Sequence, residues 1–308
     1  MRAERLLVAV IAHGVRRGGC PRPRGGFTSA TVRTGDERAD ASKPRRDTSR
    51  ATGERMSTPE PTRHLPESHP GLHYMEFMAH VSRARDSKRY LEVGVSQGHL
   101  MSQIHTRTAI GVDPSFDITF NVSHGKTIVT LVQVPSDTFF AEYDYAAMAG
   151  GPPDLIFLDG MHTFEYLLRD FYNAEAIASD RTLIVLHDCL PLNAEMAERN
   201  AKVSAQLGVN TRFPYHWTGD VWKIIPILQT YRPDLRLVYV DCPPTGLVCV
   251  TNLNPASKTL KTQYFAIVDA FRALGNDLPA IDNLYGTIDI TPSSRITNDH
   301  DLTLYFGG

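Results

Sequence analysis

"RYLEVGVSQGHL", residues 89–100, is the stretch on which the fold turns. Tyr90–Val93 is a short apolar run, and Gly94 and Gly98 follow it as the chain enters a segment, Gln97–Thr106, that reads as a helix. Strand, glycine turn and helix together suggest a nucleotide cradle, because glycine lets the backbone turn sharply and lets a ligand approach with no Cβ in the way. The spacing is G-x-x-x-G, not the G-x-G-x-x-G that a dinucleotide pyrophosphate needs at a helix N-terminus. A ligand without a pyrophosphate suits the longer spacing better. Two ordinary turn glycines remain the plain alternative for the loop taken alone.

Working outward, the same alternation repeats. "TAIGVD" (108–113), "KTIVTLVQV" (126–134), "DLIFLD" (154–159) and "TLIVLHD" (182–188) read as strands, and the last two are continuous apolar runs of the kind buried on both faces of a parallel sheet. Between them, "SDTFFAEYDYAAMAG" is helical up to a Gly-Pro turn. Phe164, Leu167, Leu168, Phe171, Ala174 and Ala178 make one apolar stripe on a helix that Thr163 can cap. Residues 192–233 read as mostly helical, interrupted by "TRFPYHWTGD". "LRLVYVD" (235–241) and "GLVCVTN" (246–252) then form a hairpin, so one of them runs antiparallel to the rest. The expected fold is α/β: a doubly wound, Rossmann-like, mostly parallel seven-stranded sheet with an antiparallel terminal hairpin, its ligands beyond the carboxyl ends of the strands.

Composition sets the limits around this core. With 308 residues, 42% hydrophobic and 21% charged, the chain has room for one large α/β domain with additions. Residues 1–55 carry 13 Lys/Arg against 6 Asp/Glu, a balance of +7, and the remainder carries 19 against 28, a balance of −9. The basic segment lacks the apolar surface to offset the entropy of ordering, so residues 1–68 are expected to be a disordered extension. Its run Leu6–Ala12 is short for a signal peptide, and Met56 opens a polar stretch that could serve as a start, so residues 1–55 read as dispensable. An acidic folded part disfavours nucleic acid, and no 18-residue apolar run is present to span a membrane. Cys20, Cys189, Cys242 and Cys249 have no C-x-x-C spacing, which points to a reducing, cytoplasmic setting. Residues 69–255 make the predicted domain. Residues 256–308 follow as an extension, with an amphipathic helix at "KTLKTQYFAIVDAFRAL" and irregular chain at "DNLYGTIDITPSSR" that would cover the core or a second copy in a homo-oligomer.

Acids stand at the strand ends. Asp113 closes the second strand 19 residues after Gly94, where a carboxylate can accept hydrogen bonds from both hydroxyls of a ribose. Asp159 and His162 follow the fourth strand, and His187 and Asp188 end the fifth. Neighbouring parallel strands would bring these four into one cleft, as a divalent-metal site or an acid/base pair. Helix capping by Asp159 and loop closure by His162 are the bland reading. In "YHWTGDVWK" (215–223), Thr218 or Asp220 can cap a helix near Val221, while Tyr215, His216, Trp217 and Trp222 supply aromatic faces suited to a sugar or an aromatic ring.

An alternating α/β core, G-x-x-x-G after the first strand and a closing hairpin together resemble the class I S-adenosylmethionine-dependent methyltransferases over about residues 85–252. The pattern Asp159, His162, Phe164, Glu165, Asp170, His187 and Asp188 resembles the subfamily of macrocin-type sugar O-methyltransferases and cephalosporin-hydroxylase-like proteins. The resemblance implies S-adenosylmethionine as cofactor, bound by Glu92, Gly94, Gly98, Asp113, Asp137 and Asp159, with Glu92 near the methionine end and Asp137 at the adenine amine. It implies Mg²⁺ through Asp159 and Asp188, although His187 stands where the subfamily has a second acid. The implied reaction is O-methylation of a small-molecule or sugar hydroxyl, with His187 or His162 as base and Asp159 beside it. The rival readings are a cofactor-binding module without turnover, a nicotinamide oxidoreductase, which lacks its glycine motif here, and a nucleic-acid methyltransferase, which the acidic core disfavours.

Overall fold

The computed structural model describes residues 7–12 and 63–307. One sheet organises them, built from β1 (Leu7–Ala12), β2 (Arg89–Val93), β3 (Thr108–Val112), β4 (Ile128–Gln133), β5 (Leu155–Leu158), β6 (Leu183–His187), β7 (Arg236–Val240), β8 (Leu247–Thr251) and β9 (Ile290–Thr291). The order across it is β1-β4-β3-β2-β5-β6-β8-β7-β9. All pairs are parallel except those made by β8, which enters antiparallel between β6 and β7. The helices are α1 (Tyr74–Ala84), α2 (His99–Gln103), α3 (Ser136–Glu142), α4 (Tyr145–Ala149), α5 (Phe164–Ala176), α6 (Ala201–Gly208), α7 (Ile224–Tyr231), α8 (Thr259–Thr262), α9 (Tyr264–Arg272), α10 (Leu278–Tyr285) and α11 (Asp299–Phe306). This is the doubly wound Rossmann-like fold expected, with every one of the seven strands in place and one further strand at each edge.

The period-2 alternation of each strand separates two cores. Leu91, Val93, Ile156, Leu158, Ile184 and Leu186 pack on one face with Phe164, Leu168 and Phe171 of α5. Tyr90, Leu155, Phe157, Leu183 and Val185 point to the other face and meet Phe77, Met78 and Val81 of α1. Every residue of β3, β5 and β6 is buried, as a sheet covered on both sides requires. Each fully buried Leu, Ile or Phe contributes about 1.5–3 kcal/mol over exposure, so these strands anchor the sheet edge on which the site is built.

The edges and the tail depart from the sequence expectation. Leu7–Ala12, placed above in a disordered extension, pairs in parallel with β4 from Leu7↔Ile128 to Ala12↔Gln133. "LVAVIA" is a strand-forming apolar run, and β4 offers it an open edge. Residues 63–68, also placed above in the extension, are held to the tail: the backbone N–H groups of His64 and Leu65 donate to Asp282 Oδ1, and Leu65 is buried. Residues 13–62 lie outside the described residues. The tail holds more regular structure than expected. Its amphipathic segment divides into α8 and α9 at Gln263, "DNLY" ends α10, and β9 pairs with β7. Ile296, Leu302 and Phe306 then join the core beside α1. No helix among the described residues is long and apolar enough to cross a membrane.

Candidate functional site

A cavity of about 490 Å³ opens at the carboxyl ends of β2, β3 and β5, within the usual size range of small-molecule sites. Of the residues singled out from the sequence, Gly94, Asp113, Asp159, His162 and Trp217 line it. Glu92, Gly98, Asp137, His187 and Asp188 do not.

Gly94 sits at φ +87°, and a Cβ there would lie 1.9 Å from the Asp159 carbonyl oxygen. The glycine therefore serves the close approach of the β2 and β5 ends as well as the ligand space. The Asp159 N–H donates to the Val93 carbonyl at 2.9 Å and fixes the second side of that contact. Gly98 heads α2 at φ +80°, where a Cβ would meet Val122 Cγ1 at 2.4 Å. Its role is packing of the turn, away from the cavity.

Asp113 is fixed at the cavity wall by two backbone amides. Its two carboxylate oxygens accept the backbone N–H groups of Ser96 and Ser115, each at 2.8 Å. Each oxygen keeps a further lone pair, so a pair of vicinal hydroxyls can donate to it from the cavity. Glu92 lies behind the cavity wall, buried, and its Oε2 accepts the Tyr90 hydroxyl at 2.6 Å. Burial pushes its pKa up to about 8. Asp137 is engaged elsewhere: Arg169 Nε and Nη2 both donate to it, at 2.9–3.1 Å. Its neighbours Pro135 and Ser136, not Asp137 itself, face the cavity, together with Tyr166, whose ring carries the Arg169 guanidinium 4.1 Å from its centroid.

The histidines and acids do converge. His162 Nε2 lies 3.5 Å from Asp159 Oδ1 and 3.3 Å from Asp188 Oδ2. His187 Nδ1 lies 3.2 Å from Asp159 Oδ1 and 3.5 Å from Asp188 Oδ1. Burial works against charge on both rings, but Asp188 and Asp159 outweigh it and raise both, His162 to about 9. Burial would raise the Asp159 pKa, yet His187 and His162 hold its carboxyl well below the usual range. The Asp188 backbone is left-handed (φ +59°), which aspartate tolerates, and Thr245 Oγ1 donates to its Oδ1 at 2.6 Å. His187 is walled off from the cavity: its Nε2 is buried without a partner, and its ring lies 4.2 Å from that of Tyr74 and 5.5 Å from that of Phe157. It holds Asp159 through its Nδ1, and of the two histidines only His162 lines the cavity.

A loop after α6 controls His162. The Nδ1 of the ring lies 2.8 Å from the Trp217 carbonyl oxygen, and the Trp217 indole stacks on it at 4.6 Å. A Cβ on Gly219 would fall 1.8 Å from the His162 carbonyl oxygen. Asp220, fully buried, accepts the Phe164 N–H at 3.1 Å and pairs with Arg199 and Lys223. Asp220 thus supplies, from across the chain, the cap at the start of α5 that Thr163 does not make. It does not cap the turn at Val221. Of the aromatic group, only Trp217 lines the cavity; Tyr215 is exposed and Trp222 is buried, with its indole N–H on Asn276. Tyr74, Ser96 and Thr245 had no sequence signal, since each acts through a contact between distant segments.

Magnesium takes an octahedral shell of oxygens and keeps several waters. Here one of the three groups whose donor atoms lie within 4.8 Å of one another is an imidazole, with Asp159 and Asp188 the others. Asp159 and Asp188 are oxygen ligands of the kind magnesium takes, and the imidazole beside them suits it less well than a third acid would.

Residues 91–189, from the body of β2 to just past β6, match the family profile of a methyltransferase domain. Comparison with curated proteins finds no match. Among solved structures, the chain is similar to the O-methyltransferase TomG from Streptomyces achromogenes, solved with S-adenosylmethionine: 15% identity, TM-score 0.40, 62% of this chain and 82% of that one. An O-methyltransferase from Bacillus cereus, bound to S-adenosylhomocysteine, has 12% identity and TM-score 0.39 over 57% and 79%. The Podospora anserina methyltransferase PaMTH1, also bound to S-adenosylhomocysteine, has 12% identity and TM-score 0.38 over 58% and 77%. At such distances, only the geometry of the site speaks to function.

Proposed function

We propose that this chain is an S-adenosylmethionine-dependent methyltransferase that methylates a hydroxyl group of a small molecule or a sugar. One observation carries the reading. A single cavity has at one wall a carboxylate pre-set by two backbone amides, Asp113, and at another a half-buried acid–histidine group, Asp159 and His162. The first suits a ribose diol, and the second suits a reacting hydroxyl.

In this reading, Asp113 takes the ribose hydroxyls, the Gly94 turn carries the methionine portion, and Pro135, Ser136 and Tyr166 border the base. Met161 and Trp217 border the same cavity and would flank an acceptor hydroxyl. The carbon–oxygen bond forms as the carbon–sulfur bond breaks, the electron pair of the latter staying on sulfur as a neutral thioether. The hydroxyl proton passes to the Asp159–His162 pair. An oxygen gaining a third bond becomes strongly acidic, so even a carboxylate held at low pKa can accept from it, and such transfer typically contributes ~10²–10⁴-fold. The supporting test is transfer of labelled methyl from S-adenosylmethionine to a panel of sugars, phenols and aliphatic alcohols. Turnover on a hydroxyl that is lost in His162→Ala, with cofactor binding kept, supports the reading. Cofactor binding with no transfer to any member of the panel favours a binding module without turnover.

A further inference from the structure

We infer that Arg169 is a positioning residue for the cofactor's base, and that Tyr264 of the C-terminal tail takes part in the site by holding it in place. The inference rests on the reading that the cavity takes S-adenosylmethionine with its base beside Tyr166.

The Arg169 guanidinium is pinned by its edges. Nε donates to Asp137 Oδ1 and Oδ2 at 2.9 and 3.1 Å, and Nη2 donates to Oδ2 at 2.9 Å. Nη1 donates to the Tyr264 hydroxyl at 2.6 Å. That hydroxyl donates in turn to the Glu165 carbonyl oxygen at 3.3 Å, so its proton is engaged as well. A planar fork bonded at all three nitrogens cannot turn in its own plane and offers its faces to further contacts. One face lies 4.1 Å from the centroid of the Tyr166 ring, one helical turn earlier on α5.

Tyr166 is the residue this clamp acts on. Its ring lines the cavity beside Pro135 and Ser136 and is 39% exposed. A half-exposed side chain normally gives up rotamer freedom when a ligand orders it, and that loss weakens binding. A ring already stacked on a fixed cation has given up that freedom beforehand. With one face on Arg169, it keeps the other face and its edge for a ligand, and a flat heterocycle such as adenine suits an aromatic face.

The clamp draws on three elements. Asp137 belongs to α3, Arg169 to α5, and Tyr264 opens α9 in the tail. The tail therefore reaches the base end of the cavity through one hydroxyl. Lysine could not replace Arg169, because an ammonium group has neither the fork for Asp137 nor a plane to lay on Tyr166.

The test titrates S-adenosylhomocysteine by calorimetry into the full chain and its variants, with thermal unfolding confirming that each variant is folded. Arg169→Ala should weaken binding at least fivefold, Arg169→Lys should not restore it, and Tyr264→Phe should weaken it at least twofold. The double variant Arg169→Ala, Tyr166→Ala should bind no more weakly than Tyr166→Ala alone, because Arg169 acts through that ring; a role confined to fold stability would add the two losses. Unchanged affinity in Arg169→Ala or in Tyr264→Phe overturns the inference, as do full recovery in Arg169→Lys and additive losses in the double variant. No binding by the wild type defeats the methyltransferase reading itself, whereas wild-type binding with unaffected variants defeats this inference alone.

Discussion

The Trp217 carbonyl oxygen lies 2.8 Å from His162 Nδ1, so a residue 55 positions away decides which nitrogen of the ring faces the cavity. Everything that holds this loop against the end of β5 should therefore matter for turnover. Gly219→Ala places a Cβ 1.8 Å from the His162 carbonyl oxygen at a backbone of φ +57°. Methyl transfer should fall at least tenfold while the affinity for S-adenosylmethionine stays within about twofold. Steady-state rates with separate cofactor titrations check this, and an unchanged rate would contradict it.

Asp220 anchors the same loop through a buried network. It has no exposed surface, and Lys223, one of its partners, is 2% exposed. Removing one member of such a group leaves buried charge uncompensated, at a cost of roughly 3 kcal/mol or more. Asp220→Ala should accordingly lower the denaturation midpoint by far more than Glu67→Ala, whose side chain is exposed and whose Arg212 partner is exposed too. Equal midpoints for the two variants would show that the network does not hold the loop.

Much of this architecture was legible in the residues. The seven strands, the hairpin and the strand-end positions of Asp113, Asp159, His187 and Asp188 follow from apolar runs closed by acids, because periodicity and turn chemistry are local properties. What sequence could not carry were contacts between distant segments. Asp137 looked free for an adenine and is taken by Arg169. Thr163 looked like a cap and is replaced by Asp220. His187 looked as reachable as His162, and only packing beneath Tyr74 and Phe157 separates them. At the edges, the run Leu7–Ala12 has strand propensity that its basic, polar surroundings concealed.

Glu92 gives a pH signature of stability. Burial raises its folded-state pKa to about 8 from an ordinary value of 4.5. The folded state thus favours the neutral acid: the contribution is fully present below about 4.5, is lost as pH rises to about 8, and is flat above. The linkage relation gives roughly 1.4 kcal/mol per unit of separation. Glu92→Gln keeps an acceptor for the Tyr90 hydroxyl and removes the titration. Its thermal midpoint should gain on the wild type steadily between pH 5 and 8; parallel midpoint curves over that range would falsify the assignment.

Gly94→Ala tests the glycine turn. With φ +87° and the Asp159 carbonyl oxygen 1.9 Å from the new Cβ, the ends of β2 and β5 must separate. Both cofactor binding and stability should suffer, the latter by more than the ~1 kcal/mol of an ordinary strained glycine replacement. Gly150→Ala is the control: it also lies at positive φ, but nothing stands within 4 Å of its Cβ position. Similar losses in the two variants would mean that backbone strain, and not the contact with Asp159, explains Gly94.

The central claim, that this cavity holds S-adenosylmethionine with its ribose on Asp113, is tested most directly by calorimetry. S-adenosylmethionine and S-adenosylhomocysteine are titrated into the full chain and into Asp113→Ala. The account predicts one site in the wild type for both compounds and at least tenfold weaker binding in the variant. No heat of binding in the wild type, or equal affinity in Asp113→Ala, would contradict it.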